Sequence, residues 1–178
     1  LTAAVVKRID QTFISTTAAS AGVSPAGILN GLSAVNSAGG DSDAIRADAG
    51  AVMAAFATAN NPLNSGVWIM SQARALWLSL LMNPLGQREF SDLSVRGGTF
   101  MGLPVIISNH VASTAVVLVN AEDIYLADDG GVSVSMSTEA SLQMMDNPTN
   151  DTVTATPVAT DLVSLWQTNS VGFLAERT

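Results

Sequence analysis

The single histidine of the chain, His110, is the residue around which acid–base or metal chemistry would have to be built. Imidazole exchanges a proton near neutral pH, and a Ser-His-Asp triad or a metal site needs it beside a nucleophile, a carboxylate or further ligands. His110 follows Asn109 at the end of an apolar stretch, which is an ordinary place for a histidine at the edge of a loop. We therefore expect His110 to have a structural role.

Two other stretches have compositions that occur in ligand sites. Asp128-Asp129-Gly130-Gly131 lacks the alternating acids and the final Glu of an EF-hand loop, so it predicts a tight turn and not a calcium site. Gly97–Gly102 lacks both the Lys-Ser/Thr pair of a phosphate loop and the spacing of a dinucleotide fingerprint. We predict no catalytic, cofactor-binding or metal-binding residues and no enzyme activity. The scattered acids Asp10, Glu122, Asp123 and Glu139 are expected to be solvated.

The composition narrows the class of protein further. Hydrophobic residues make up 48% of the 178 residues and charged residues only 12%, which favours a subunit that hides part of its surface in an assembly. The net charge of −8 argues against direct gripping of nucleic acid, because phosphates would be repelled. No apolar run reaches the roughly 18 residues of a membrane span. The chain has no cysteine, so disulfides and thiolate metal sites are excluded, while the redox compartment stays undetermined.

Three helices are predicted before residue 82. Apolar residues recur every four positions over Leu1–Phe13, and Asp41 or Ser42 is placed to begin a second helix. A short strand, Val67–Met70, leads to Ser71, which is expected to cap a third helix. The predicted buried faces are Ile45, Ala49, Val52, Met53 and Phe56 in the second helix, and Ala73, Leu76, Trp77, Leu80 and Leu81 in the third.

The stretch Gly97–Val111 separates a helix-rich half from a strand-rich half. Gly102 permits a bend, Pro104 is expected at a strand end, and Val105–Ile107 is a β-branched run typical of a buried strand. Further predicted strands are Val116–Val119, Ile124–Leu126, the half-buried Val132–Ser137, and one long strand over Leu162–Glu176, with a loop over Asp146–Pro157.

The tryptophans and the chain ends add two expectations. Trp68, Trp77 and Trp166 have apolar neighbours and are predicted to be core or interface anchors. The chain begins at Leu1 already in helical register and stops at Thr178 without a turn or cap, so we expect it to be a piece of a longer chain.

Several motifs in this order resemble the major capsid protein of tailed bacteriophages, the Hong Kong 97-type family, over nearly the whole chain. The segment from Lys7 to Asn30 resembles the exit from that family's long spine helix, and the Trp68-Ile69-Met70 strand with its helix resembles a unit of the axial domain. Each motif alone is weak, but their order and spacing are specific. The remaining matches are Thr99–Val105, which resembles the family's Gly-x-Pro-Val segment, and Asp123–Asp128 with Trp166–Arg177, which resemble the closing strands.

The resemblance implies an α+β fold of the Hong Kong 97 type, with axial-domain helices around a small sheet, long strands of a peripheral domain, and the end of a spine helix. It implies three parts: residues 1–35 for the spine end and exit turn, 36–112 for the axial domain, and 113–178 for strands returning to the peripheral domain. The N-terminal arm, the extended loop and most of the spine helix are absent from this sequence. Some members of that family crosslink neighbouring subunits through a lysine in a loop, and that loop is missing here. Lys7 is the only lysine and lies in the segment that resembles the spine helix, so no crosslinking residue is assigned.

The resemblance further implies a structural subunit that assembles with copies of itself into pentamers and hexamers of an icosahedral, DNA-containing shell. A scaffold or a maturation protease is a further expected partner, whereas sequence-specific nucleic-acid binding and membrane binding are not expected. The expected location is the virion, after assembly in the host cytoplasm. We expect the loops Gly39–Asp43 and Pro84–Asp92, including Arg88 and Glu89, to supply contacts between subunits.

Three alternatives stay open on the sequence. A bacterial nanocompartment (encapsulin-like) shell shares this fold and encloses protein cargo in place of DNA. A small hydrolase using His110 is the enzymatic alternative, and an ordinary soluble binding domain is the third.

Overall fold

The computed structural model describes residues 2–21, 24–125, 130–144 and 162–176. By its internal contacts the chain divides into two compact units, one comprising Lys7–Leu126 and the other comprising Leu1–Val6 with Ala127–Thr178. Three predictions lie wholly or partly outside the described ranges. They are the tight turn predicted at 128–131, of which 128 and 129 lie outside, the loop predicted over 146–157, and the strand predicted over 124–126, of which 126 lies outside.

The first unit combines helices with a five-stranded sheet. Its helices are α1 (Thr2–Phe13, which starts in the other unit), α2 (Ser42–Thr58) and α3 (Gln72–Ser79), and a short 3-10 helix spans Ala121–Asp123. Its strands are β1 (Gly66–Met70), β2 (Leu93–Ser94), β3 (Gly97–Phe100), β4 (Leu103–Ile107) and β5 (Val116–Asn120).

The sheet has the order β2-β3-β4-β1-β5, so β2 and β5 form its two edges. β1 pairs in parallel with β4 and antiparallel with β5, and β3 and β4 form a hairpin. Met101 and Gly102 take φ values of 51° and 79° at the hairpin turn, which confirms the predicted bend. Pro104 pairs with Thr99 and precedes the pairing of β4 with β1, which starts at Val105. A residue without an N–H is tolerated at that place, as predicted.

The core lies between the sheet and the inner faces of α2 and α3. Trp68, Met70 and Leu78 are its largest fully buried side chains. Phe100 meets the Trp68 ring edge-on at 5.4 Å and the Phe90 ring at 5.0 Å between centroids, two favourable aromatic geometries. This core fixes α3 and the loops around it on a rigid base.

Helix α2 follows the sequence prediction closely. Asp41 is its N-cap residue, although its side chain makes no capping hydrogen bond, and Asn60 leaves the helix with φ of 53°. The whole predicted stripe packs on the core, with Ala49 buried and Ile45, Val52, Met53 and Phe56 partly buried.

Helix α3 begins as predicted but buries a different face. Ser71 caps it by accepting a hydrogen bond from the Arg74 backbone N–H at 3.2 Å. The predicted stripe is wrong for Ala73, Leu76, Trp77 and Leu80, which are exposed, whereas the half-buried Leu81 packs against the core as predicted. The residues that face the core are Ala75, Leu78 and Ser79. On this face the small Ala75 and Ser79, one turn apart, lie on either side of the buried Leu78.

Two strand predictions fail in this unit, one after β5 and one within β4. Residues Ile124 and Tyr125 follow the 3-10 helix without forming a strand, so a strand over Ile124–Leu126 is wrong in its described part. Within Val105–Ile107 only Val105 is buried and Ile106 is exposed, because β4 alternates its side chains between a covered and an open face.

The second unit contains two separate two-stranded ribbons among its described residues. Strand β6 (Ser133–Ser137) pairs with β9 (Gly172–Glu176), and β7 (Ser141–Gln143) pairs with β8 (Leu162–Ser164), both antiparallel. The long strand predicted over Leu162–Glu176 is wrong, because a turn over residues 165–169 divides it and hydrogen bonds such as Ser170 N–H to the Leu165 carbonyl close the turn. The predicted half-burial of β6 is also wrong, since all five of its residues are exposed.

Candidate functional site

His110 lies in the loop after β4, as predicted, with no catalytic arrangement around it among the described residues. Its Nε2 atom is 4.0 Å from the Asp10 carboxylate, a separation too long for a hydrogen bond. The nearby hydroxyl of Ser108 accepts a hydrogen bond from the His110 backbone N–H and not from the ring. A nucleophile, base and orienting carboxylate are therefore not assembled here.

The described carboxylates do not gather into a metal centre. No group of three or more His, Cys, Asp and Glu residues that could hold an ion occurs in residues 2–21, 24–125, 130–144 and 162–176. Asp10, Glu122 and Glu139 are exposed, as predicted. Asp123 is exposed but not simply solvated, because its Oδ2 atom accepts hydrogen bonds from the side-chain amides of Asn61 and Asn120.

The outer side of α3 is the first surface that could bind a partner. We name the α3 face by its residues Arg74, Leu76, Trp77 and Leu80. Its three apolar side chains are exposed, and the Arg74 guanidinium lies 5.2 Å from the centre of the Trp77 ring, a cation–π contact. The Arg74 Nε is buried without a hydrogen-bond partner, and no described carboxylate pairs with this arginine. The α3 face therefore offers apolar area together with an uncompensated positive charge.

Two loops border the α3 face, and both contain positions predicted to contact other subunits. A side-chain carbon placed on Gly40 would lie 3.8 Å from the Trp77 ring, so the Gly39–Asp43 loop runs beside it. The second loop follows α3 and is closed by the Asn83 backbone N–H donating to the Gln87 carbonyl at 2.8 Å. Leu85 at its tip is 84% exposed.

The two charged residues predicted in that second loop, Arg88 and Glu89, differ in exposure and pairing. Arg88 is exposed and has no side-chain partner among the described residues. The Glu89 side chain is only 6% exposed and accepts a hydrogen bond from Arg46 of α2. Arg88 can therefore reach another molecule, whereas Glu89 holds its own chain together.

A second exposed surface follows β5 at the opposite edge of the sheet. We name the edge segment by its residues Ala121–Tyr125. Tyr125 is 95% exposed, and Glu122 is exposed with no described partner. Asn120 anchors the segment: it is 4% exposed, and its Nδ2 atom donates to the Asn61 Oδ1 at 2.9 Å and to the Asp123 carboxylate at 3.2 Å.

Sequence reasoning missed both the α3 face and the asparagine anchor. The small sizes of Ala75 and Ser79, one turn apart, were the available signal for the helix face. Asn120 bonds to Asp123, three residues away, and to Asn61, which is 59 residues away in sequence. No local pattern signals the contact with Asn61. Both surfaces have the chemistry of binding and not of catalysis.

The sequence profile of the phage capsid family matches residues 1–177. The chain belongs to the phage capsid family. A relative named capsid polyprotein, from Pseudomonas phage PAJU2, is 54% identical over 182 residues, which cover 99% of this chain and 27% of the relative. The chain thus spans about a quarter of that relative's length. No solved structure matches the chain.

Membership of the phage capsid family favours a capsid protein among the alternatives left open by the sequence. The family and the capsid polyprotein relative support a structural phage protein and give no support to a hydrolase built on His110. Its helices and sheets have the mixed α+β character expected of a phage capsid domain. No helix among the described residues is both long enough and apolar enough to cross a bilayer.

Proposed function

We propose that this capsid chain is the shell-forming part of a major head protein that assembles with copies of itself. Pentamers and hexamers of the subunit close into an icosahedral shell around packaged DNA, after assembly in the host cytoplasm. The observation that carries the proposal is the match to the phage capsid family over residues 1–177, together with the exposed apolar α3 face of a helix that is packed on the core by its other side. Exposed apolar area on a rigid base is what an oligomer buries.

The finer architecture is part of the same proposal. The chain adopts the Hong Kong 97-type fold, in which residues 36–112 form the axial domain, 1–35 the end of the spine helix and its exit, and 113–178 the strands of the peripheral domain. A scaffold and a maturation protease are proposed as transient partners. The overall negative charge suits an inner wall along which DNA moves without binding tightly.

The loops on either side of the α3 face are proposed to contact neighbouring subunits. Leu85 and Arg88 are the residues of the second loop that can do so, because both are exposed. Glu89 is excluded from this role by its pairing with Arg46. A charge reversal at Arg88 is therefore the informative change, whereas one at Glu89 would report folding.

Electron microscopy with light scattering on the full-length gene product tests the proposed function. Closed shells, or rings of five and six subunits, are expected. Nuclease-protected DNA inside particles from infected cells supports the capsid function, whereas copurifying cargo enzymes without DNA would indicate a nanocompartment. A protein that stays monomeric at high concentration, with and without the neighbouring phage proteins, would contradict self-assembly.

A further inference from the structure

Charge is divided unevenly along this chain. Residues 1–96 contain six Lys and Arg against six Asp and Glu, while residues 97–176 contain nine Asp and Glu and no Lys or Arg at all. The first part is therefore neutral overall, and all of the excess negative charge lies in the second part. Arg74 and Arg88 are not paired within the described part of their own chain.

The α3 face and the edge segment lie at opposite edges of one sheet. The principal strand contact of α3 is β2, which is one edge of the sheet, and the edge segment follows directly from β5, which is the other. At a strand spacing of about 4.8 Å, five strands place the two edges about 19 Å apart. Both surfaces belong to the Lys7–Leu126 unit, so the sheet that joins them fixes their separation.

The chemistry of the two surfaces is complementary. The α3 face presents apolar side chains beside the unpaired positive charge of Arg74. The edge segment contains the exposed Tyr125 ring and, three residues earlier in the sequence, the unpaired carboxylate of Glu122. Tyrosine and arginine are enriched in protein interfaces, where apolar side chains fill the centre and polar groups such as carboxylates lie at the rim. If two α3 faces met, two arginines would repel each other, and if two edge segments met, two carboxylates would do so. This repulsion opposes a symmetric contact.

We propose that the α3 face of one subunit receives the edge segment of a second copy of this chain. This inference rests on the proposed self-assembly and names its contact. The interface is heterologous, so each subunit uses its α3 face toward one neighbour and its edge segment toward the other. Head-to-tail contacts of this kind close into rings when the rotation between subunits is the right fraction of a circle. Five- and six-membered capsomers are the rings that the proposed function requires.

Disulfide trapping tests which residues meet. The 178 residues of this chain contain no cysteine, and any cysteine elsewhere in the full-length protein is first replaced by serine. The double variants Leu76→Cys/Tyr125→Cys and Leu80→Cys/Tyr125→Cys are assembled in the full-length protein and oxidised. At least one is expected to give a ladder of covalently linked chains ending at five or six, while each single variant gives no ladder. The matched control is Ile106→Cys/Tyr125→Cys, because Ile106 is similarly exposed but belongs to neither surface.

A mixing experiment separates a head-to-tail contact from a symmetric one. Leu80→Asp blocks the α3 face and Tyr125→Asp blocks the edge segment, and both side chains are exposed, so each subunit should fold normally. Each variant alone is expected to need at least about tenfold more protein for assembly, as for a central interface residue. A one-to-one mixture is expected to give dimers in analytical ultracentrifugation, because one good contact remains possible per pair.

The outcomes distinguish this interface from the proposed function. Unmodified protein that never associates overturns both. Unmodified protein that forms shells, together with Leu80→Asp and Tyr125→Asp variants that form them equally well, overturns the interface alone. Assembled particles in which neither cysteine pair crosslinks, or in which the Ile106 control crosslinks equally, overturn it as well.

Discussion

Arg46 of α2 and Glu89 of the loop after α3 form a charge-assisted pair across 43 residues of sequence, and the Glu89 side chain is almost fully covered. The pair connects the helix before the sheet to the loop beside the α3 face. A covered carboxylate that loses its cation is left with an uncompensated charge. Because Arg46 itself is half exposed, water screens part of that cost. We expect Arg46→Met to lower the free energy of unfolding by about 1–2 kcal/mol.

Denaturant titration of the unassembled subunit measures this change, and Asp43→Asn is its matched control. Asp43 is the other carboxylate beside Arg46, at 3.6 Å, but it is exposed, so its removal should change the free energy of unfolding by less than about 0.5 kcal/mol. Equal effects of the two substitutions would contradict the importance of the covered pair.

The corrected orientation of α3 predicts opposite behaviour for two leucines two positions apart. Leu78 is 2% exposed and packs in the core, so Leu78→Ala should destabilise the subunit by about 2–5 kcal/mol. Leu76 is 46% exposed, and Leu76→Ala should cost less than about 1 kcal/mol. Thermal unfolding of the unassembled subunits compares them. A larger loss for Leu76 than for Leu78 would restore the face predicted from the sequence.

Gly98 of β3 is expected to tolerate no side chain. Its φ is 130°, and a Cβ atom there would lie 2.0 Å from the Asp92 carbonyl oxygen, which is backbone and cannot move aside independently. We expect Gly98→Ala to cost about 3 kcal/mol or more in stability. Gly50→Ala is the control, because Gly50 lies within α2 with open space around it, and there alanine should stabilise by up to about 1 kcal/mol. The same denaturant titration distinguishes the two signs.

Asn120 is expected to hold the edge segment in place. Replacing it with alanine removes its hydrogen bonds to Asn61 and Asp123 and should cost about 1–3 kcal/mol. Hydrogen exchange should rise at the amides of Ala121 and Ile124, which donate to the carbonyls of Ser65 and Ala121.

Asn36→Ala is the control for this prediction, because Asn36 is exposed and makes no described side-chain hydrogen bond. Unchanged exchange at Ala121 and Ile124 in the Asn120→Ala variant would show that the anchor does not restrain the segment.

Local sequence signals predicted several elements accurately. In α2, the stripe from Ile45 to Phe56 and the Asp41 start are properties of residues within one helix, so helical period and capping preference were enough. The bend at Gly102 was predictable for the same reason, because it depends on which residues accept a positive φ.

Predictions failed where a local pattern allowed two outcomes. Helix α3 has apolar residues on both sides, and only its packing against the rest of the unit selects the side with Ala75, Leu78 and Ser79 for burial. The alternating apolar residues of β6 predicted half-burial, but a two-stranded ribbon exposes both of its faces unless another layer covers it. Leu162–Glu176 has strand-forming residues throughout, and pairing with two different partners, β7 and β6, is what divides it.

The sequence by itself determined the family, the α+β class, the positions of the helices and of the central hairpin, and the uneven distribution of charge. Each of these depends on residue type and short-range spacing. The tertiary structure alone decided that Leu76, Trp77 and Leu80 face outward, that the covered Glu89 pairs with Arg46, and that Asn120 joins Asn61 to Asp123 at the β5 edge of the sheet. These relationships join residues that are distant in sequence or choose between two faces of one element, and only packing against the rest of the chain fixes such choices.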